Sequence, residues 1–266
     1  MTWLLVPAAL YVALAALLWA LQDRMIFPGA AFGRGSPVPD VPGVRVERLA
    51  LPAGGTFRVA IAEPEAPPAG VVVAFLGNGE DLRSAVHWAA LWADYGQATL
   101  AVEYPGYGDS DGEPGEAAFY AAAEAAAEHA RRLAPGLPLT ASGSSLGSFS
   151  AVHLAASGLA DRLVLFAPPR STARVGRERY PWLPIAWLLR HRFDNEARAA
   201  DVRCPALIVH GDRDGVVPLA HGVALSERFA GPTELRIARG FGHNDLPLGR
   251  HGPFGEAIAR FLGGGG

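Results

Sequence analysis

Gly143-Ser144-Ser145-Leu146-Gly147 is the stretch on which the reading of this 266-residue chain turns. It fits G-x-S-x-G, a turn that lifts a serine out of a sheet when a strand precedes it and a helix follows. Residues 137–142 read as a short strand and 148–156 as a helix, so the context is the right one. Glycines at 143 and 147 let the chain turn sharply and let strand and helix approach closely. Ser145, at the tip, is expected to carry strained backbone angles with its hydroxyl facing outward. Three fixed letters in five are weak alone, and the meaning depends on a base, an acid and an oxyanion-binding loop following in the right places.

A serine hydroxyl is a poor nucleophile near neutral pH and needs a positioned base. Of eight histidines, His243 lies in the glycine-flanked loop Gly240-Phe-Gly-His-Asn-Asp245 after the last expected strand. That places it at the carboxyl edge of a sheet, where sites of α/β proteins gather. His87, His129 and His153 fall inside helical patterns and read as packing or surface residues. His210 ends a strand and reads as a buttress for the next loop, while His191, His221 and His251 have no comparable setting. An acid that orients the base is expected between serine and histidine in chain order. His210-Gly-Asp-Arg-Asp-Gly-Val-Val-Pro218 offers Asp212 and Asp214. Asp214 is the choice, because Gly215 gives the loop freedom to present it; Asp212, the runner-up, reads as a residue bonding loop amides. Asn244 and Asp245 are loop formers with no assigned role. An oxyanion hole needs two backbone donors. The amide of Leu146, directly after the nucleophile, and that of Asn78, in the Gly77–Glu80 loop, are expected to supply them.

Outside these loops the chain alternates strand and helix. Strands are expected at 44–51, 56–62, 71–76, 98–103, 137–142, 162–166, 205–210 and 234–238. Helices are expected at 82–95, 116–133, 148–156, 219–229 and 253–262. The first two strands form a hairpin around Pro52-Ala-Gly-Gly55, and the repeated βα units predict a mostly parallel sheet with helices on both faces. An insertion at about 168–202, carrying Tyr180-Pro-Trp-Leu-Pro-Ile-Ala-Trp-Leu-Leu189 and several arginines, interrupts the rhythm. It reads either as a lid over a site or as a surface helix packing its own aromatics.

Half of the residues are hydrophobic, enough for a sizeable core, and a chain of this length with one α/β pattern reads as a single domain. Every basic residue is arginine, and a formal charge of −3 gives no reason to expect nucleic acid as a partner. The single Cys204 precludes an internal disulfide and reads as a buried structural thiol.

The N-terminus differs in kind. Residues 3–21 carry no charge and are long enough to span a bilayer as a helix. Trp3, Tyr11 and Trp19 supply interfacial aromatics, and Gln22-Asp-Arg24 ends the run. The organisation expected is a membrane anchor at 1–24, a Pro/Gly-rich connector at 25–43, a catalytic domain at 44–262 and a disordered tail at 263–266. A cleaved signal peptide and a buried core helix are the rival readings of the anchor, the former weakened by the lack of a positive leader. Arg24 and Arg34 after the segment lean toward a cytoplasmic catalytic side, but two arginines do not settle it and both orientations stay open.

Five stretches in order carry a resemblance: Phe75-Leu-Gly-Asn-Gly79, Tyr104-Pro-Gly-Tyr-Gly-Asp-Ser-Asp-Gly-Glu-Pro114, the Ser145 turn, the Asp214 loop and the His243 loop. Together they resemble the α/β-hydrolase superfamily, over nearly the whole chain. The apolar start running into Gln22-Asp-Arg-Met-Ile-Phe-Pro28 is similar to its membrane-anchored branch, which includes eukaryotic protein depalmitoylases and bacterial hydrolases. One departure is visible: that family usually has His-Gly-Asn where this chain has Leu76-Gly-Asn78. The resemblance implies an α/β-hydrolase fold with an eight-stranded sheet. It also implies a Ser145–His243–Asp214 triad cleaving an ester or thioester, with no cofactor or metal. A lipid-like acyl substrate and a cell-membrane location are expected. A peptidase of the same fold and a catalytically silent, membrane-tethered binding module are the alternatives.

Overall fold

The computed structural model describes residues 2–31 and 34–263, with side chains from residue 6 onward. Residues 264–266 of the expected tail and the Trp3 side chain lie outside the described residues. Eight strands make one sheet: β1 (Val44–Ala50), β2 (Thr56–Ala62), β3 (Gly70–Phe75), β4 (Gln97–Val102), β5 (Leu139–Ser144), β6 (Arg162–Phe166), β7 (Ala206–Gly211) and β8 (Thr233–Ala238). Their order is β1-β2-β4-β3-β5-β6-β7-β8. Strand β2 runs antiparallel to both neighbours, and every pair from β4 to β8 is parallel. Central strands β3, β4 and β7 are buried along their whole length, which is why they read as near-continuous apolar runs rather than alternations. The expected hairpin closes through the Leu51 amide on the Gly55 carbonyl, with Gly54 and Gly55 in the left-handed region.

The main helices are α1 (Thr2–Ile26), α2 (Leu82–Asp94), α3 (Glu116–Leu133) and α4 (Gly147–Ala156). Helix α3 packs on α4 and on the central strands through Phe119, Tyr120 and a stripe of alanines whose small size lets it lie close. Helix α2 covers β2 and β4, and its Trp92 stacks on Phe166 of β6. Near the chain's end, α8 (Leu219–Ser226) packs on β7 and β8, and α9 (Gly255–Phe261) closes the fold.

Between β6 and β7 the insertion forms three short helices, α5 (Thr172–Arg179), α6 (Ile185–Leu188) and α7 (Asn195–Arg198). It leaves the sheet through Ala167, one of two non-glycine residues with positive φ among those described. Its root is pinned by Arg170 on Glu196 and by Asn195 Nδ2, which donates 2.9 Å to Ser148 Oγ on α4. Phe193 stacks on Phe149 of α4 with ring centroids 5.0 Å apart. The segment is thus keyed into the core from both ends rather than lying on the surface alone.

Three expectations need correction. Helix α1 does not stop at Gln22-Asp-Arg24 but runs to Ile26, and Gln22 is buried against the insertion. The segment from 25 on is not a free connector either: Phe27 is buried among Phe119, His191 and Phe193, and residues Pro28–Ala31 form a 3-10 turn. Cys204 is half-buried rather than buried, and burial pushes its thiol up. Within Val6–Ile26 the most apolar 18-residue window has a mean hydropathy of 1.5 and is only 6% buried, so this helix is long and apolar enough to cross a membrane.

Candidate active site

All the loops singled out in the sequence sit at the carboxyl ends of parallel strands, on one edge of the sheet. Residues 77–80 follow β3, Ser145 follows β5, Asp214 follows β7 and His243 follows β8. At the turn after β5 the backbone is forced into an unusual shape, with Ser145 at φ 49°. A non-glycine residue there costs on the order of 1–3 kcal/mol and persists only where its surroundings fix it. Here the Ser145 amide donates to the Phe166 carbonyl at 2.9 Å, and its carbonyl accepts from the Ser148 amide at 3.0 Å.

The flanking glycines are needed for contact rather than freedom alone. A Cβ on Gly143 would lie 2.5 Å from the Gly147 carbonyl oxygen, and a Cβ on Gly147 would overlap the carbonyl oxygen of Phe75 on β3. Gly147→Ala is therefore expected to cost about 1–3 kcal/mol of stability in urea unfolding. Gly79→Ala, where an added Cβ meets nothing within 4 Å, should cost far less.

The structure brings Ser145, His243 and Asp214 into one hydrogen-bonded line. Ser145 Oγ lies 2.9 Å from His243 Nε2, and His243 Nδ1 lies 2.7 Å from Asp214 Oδ2. The other carboxylate oxygen of Asp214 accepts from the amides of Val216 (2.9 Å) and Val217 (2.8 Å). Burial alone would raise the Asp214 carboxyl, but the neighbouring imidazoles of His210 and His243 and the Val217 amide outweigh it and hold it well below the usual carboxylate range. An ionised Asp214 only accepts, so Nδ1 of His243 carries the proton and Nε2 is free to accept from the serine hydroxyl.

His210 adds a contact that chain order alone did not reveal. It is fully buried; its Nε2–H donates to the Val217 carbonyl at 2.8 Å and stands 3.4 Å from Asp214 Oδ2. It therefore braces the loop and adds a dipole beside Asp214. The only hint in the sequence is the four-residue spacing from His210 to Asp214. Asp212 points elsewhere, accepting the Gly240 amide at 2.6 Å, and Asp245 accepts the Gly242 amide at 2.6 Å. His153 stacks on Tyr120 and bonds Glu124, and His221 ties α8 to Glu178 of the insertion.

The loop after β3 is held at several points. Glu80 accepts the Gly77 amide (2.5 Å) and the Trp88 indole N–H (3.0 Å). The Asn78 carbonyl accepts from Tyr107 Oη and the Gly29 amide, both at 3.0 Å. Leu76, at the position of the departure noted above, is buried, and its carbonyl accepts from Tyr104 Oη at 2.9 Å. Neither the Asn78 amide nor the Leu146 amide donates a hydrogen bond within the described residues.

Two chambers meet at Ser145 and Asn78. One, of about 290 Å³, is apolar and lined by Leu146, Phe149, residues of the insertion and, unforeseen from the sequence, the last turns of α1. The second, of about 450 Å³, is lined by Glu80, Trp88, His243 and Asn244, the last a residue given no role from sequence. Among the described residues no cluster of three or more His, Cys, Asp or Glu is arranged to hold a metal ion.

Comparison with known proteins agrees with this architecture. Residues 66–195 match the family model described as Serine aminopeptidase, S33. An uncharacterized protein of Mycobacterium tuberculosis is 32% identical over 260 residues, covering 92% of this chain and 88% of that protein. Human alpha/beta hydrolase domain-containing protein 17B is 33% identical over 165 residues, covering 61% of this chain and 55% of that protein. Among solved structures, the Pyrococcus furiosus esterase Pf2001 superposes with a TM-score of 0.70 at 15% identity, covering 86% of this chain and 94% of that one. TT1662 from Thermus thermophilus gives 0.61 at 25% identity, covering 83% of this chain and 97% of that one. With its sheet order, its strained serine turn and these relatives, the chain belongs to the α/β-hydrolase superfamily.

Proposed function

We propose that this protein is a membrane-tethered serine hydrolase that cleaves carboxylic esters or thioesters through an acyl-enzyme on Ser145. The observation that carries the proposal is the Ser145–His243–Asp214 line opening onto an apolar chamber. Ser145 Oγ attacks the acyl carbonyl carbon while its proton passes to His243 Nε2, and the amides of Leu146 and Asn78 donate to the oxyanion. His243 then gives that proton to the departing oxygen or sulfur as its bond to the acyl carbon breaks. Water, deprotonated by His243, attacks the acyl-enzyme and releases the acid, restoring the serine. Asp214 stays ionised throughout, holding the imidazole in one tautomer and stabilising the imidazolium. Helix α1, exposed and apolar, supplies the tether.

A peptidase reading is favoured by the description of the matching family model. Against it, the apolar chamber has no aspartate or glutamate among its lining residues to receive the ammonium group of an aminoacyl substrate. Arg179 is the only charged residue among the described residues that line it. Turnover of acyl esters and thioesters beside aminoacyl arylamides separates the two. Esters and thioesters are expected to lead in kcat/KM, and a lead for the arylamides would establish the peptidase instead. Folded protein that turns over none of them and resists a fluorophosphonate probe would be a binding module.

A further inference from the structure

We infer that α1 is a wall of the acyl-binding chamber, and that Leu18 and Met25 on it set the acyl chain length the site accepts. The inference rests on the hydrolase reading above and extends it to a part of the chain otherwise assigned only to tethering.

The two chambers at Ser145 are not equivalent. A base that returns its proton to the leaving atom must lie within hydrogen-bond reach of it. His243 lines the larger chamber and not the apolar one, so the leaving group belongs with His243, Asn244 and Glu80. The acyl chain is left with the other side, past Leu146 and Phe149, where the lining is apolar and transfer of methylenes from water is favourable. The far wall there is α1. Leu18, Gln22 and Met25 follow at helical spacing and share one face, and all three line the chamber.

That face is fixed in place by contacts a simple tether would not need. Gln22 is a buried polar side chain at the point where the apolar run of the helix gives way to Asp23 and Arg24. Its Nε2 donates to the Leu188 carbonyl of the insertion at 3.1 Å, and its Oε1 accepts from the Arg190 amide at 2.8 Å. Both ends of the amide are therefore used on the backbone of the insertion. Asp23 pairs with Arg190 (3.1 Å) and His191 (3.2 Å), and the Arg190 guanidinium lies 4.9 Å from the centre of the Trp19 ring. Higher on the helix, Tyr11 Oη donates to the Trp182 carbonyl at 3.0 Å. The helix and the insertion thus form one latched wall, and a chain long enough to cross the chamber must end against Leu18 and Met25.

The test uses the full chain in detergent micelles and p-nitrophenyl esters from acetate to hexadecanoate. In Leu18→Trp and Met25→Trp the ratio of kcat/KM for dodecanoate to that for acetate is expected to fall by about tenfold or more, while Met25→Leu keeps the wild-type ratio. If the tryptophan variants fold poorly, Leu18→Ala and Met25→Ala serve instead, with a rise expected in the hexadecanoate-to-octanoate ratio. Ratios unchanged in every folded variant overturn the assignment of α1 while leaving the hydrolase reading standing. A wild-type protein that hydrolyses no ester in the series overturns that reading, and this inference with it.

Discussion

Replacing Ser145 by alanine or by glycine is expected to lower kcat for a good ester substrate by about a million-fold, since a triad acts as a unit and loses nearly everything with its nucleophile. Fluorophosphonate labelling should vanish in both variants, and labelling that persists in Ser145→Ala would remove Ser145 from the mechanism. The two variants should part company in stability. Both lose the hydroxyl that lies 2.9 Å from His243, so that loss cancels between them. At an ordinary position alanine is more stable than glycine by roughly 0.5–1 kcal/mol, because glycine gives up more freedom on folding. At φ 49° the order should invert, because only glycine occupies the left-handed region without steric cost. Ser145→Gly is thus expected to be the more stable by about 0.5–1 kcal/mol in urea unfolding. An alanine variant more stable than the glycine one would mean that the turn after β5 relaxes once the hydroxyl is gone.

The same contrast between local and distant forces explains how much of the fold is legible in the sequence. Strands β3 and β7 stood out because burial on both faces demands apolar runs. The sequence pattern puts strand β5 two residues early, since its pairing continues through Gly143 and Ser144, opposite Leu165 and Phe166, where no apolar side chain marks it. Ser145, Asp214 and His243 stand out in the sequence because each sits beside glycines after a strand. His210 reads as a brace for the loop, but its approach to Asp214 follows from the path of that loop, which has no fixed period. Least legible was α1. Its charged residues at 23 and 24 looked like the end of an apolar span, yet the helix continues, and Gln22 and Asp23 bond residues more than 160 positions away. A pattern of hydropathy records that a helix is apolar, not that its last turns close a chamber built from the other half of the chain.

The choice between the two aspartates carries the second large effect. Asp214→Asn is expected to lower kcat by about 10⁴-fold with little change in fold, because the amide imposes the wrong imidazole tautomer without altering the shape of the loop. In the native site Asp214 receives His243 Nδ1 on one oxygen and the Val216 and Val217 amides on the other. An asparagine can keep its carbonyl oxygen on the two amides, since those groups only donate. Its amide nitrogen then faces His243 and donates to Nδ1, which drives the imidazole proton to Nε2. There it points at Ser145 and prevents the serine from giving up its own proton. Asp212→Asn should behave in the opposite way: Asp212 accepts the Gly240 amide through one oxygen, a bond that an asparagine carbonyl can replace. Less than a tenfold loss in kcat is expected there, in keeping with a residue that bonds the backbone rather than the base. Steady-state kinetics on one ester decides the matter. If Asp212→Asn collapses kcat and Asp214→Asn does not, the acid has been misassigned and the 2.7 Å contact to His243 is structural rather than catalytic.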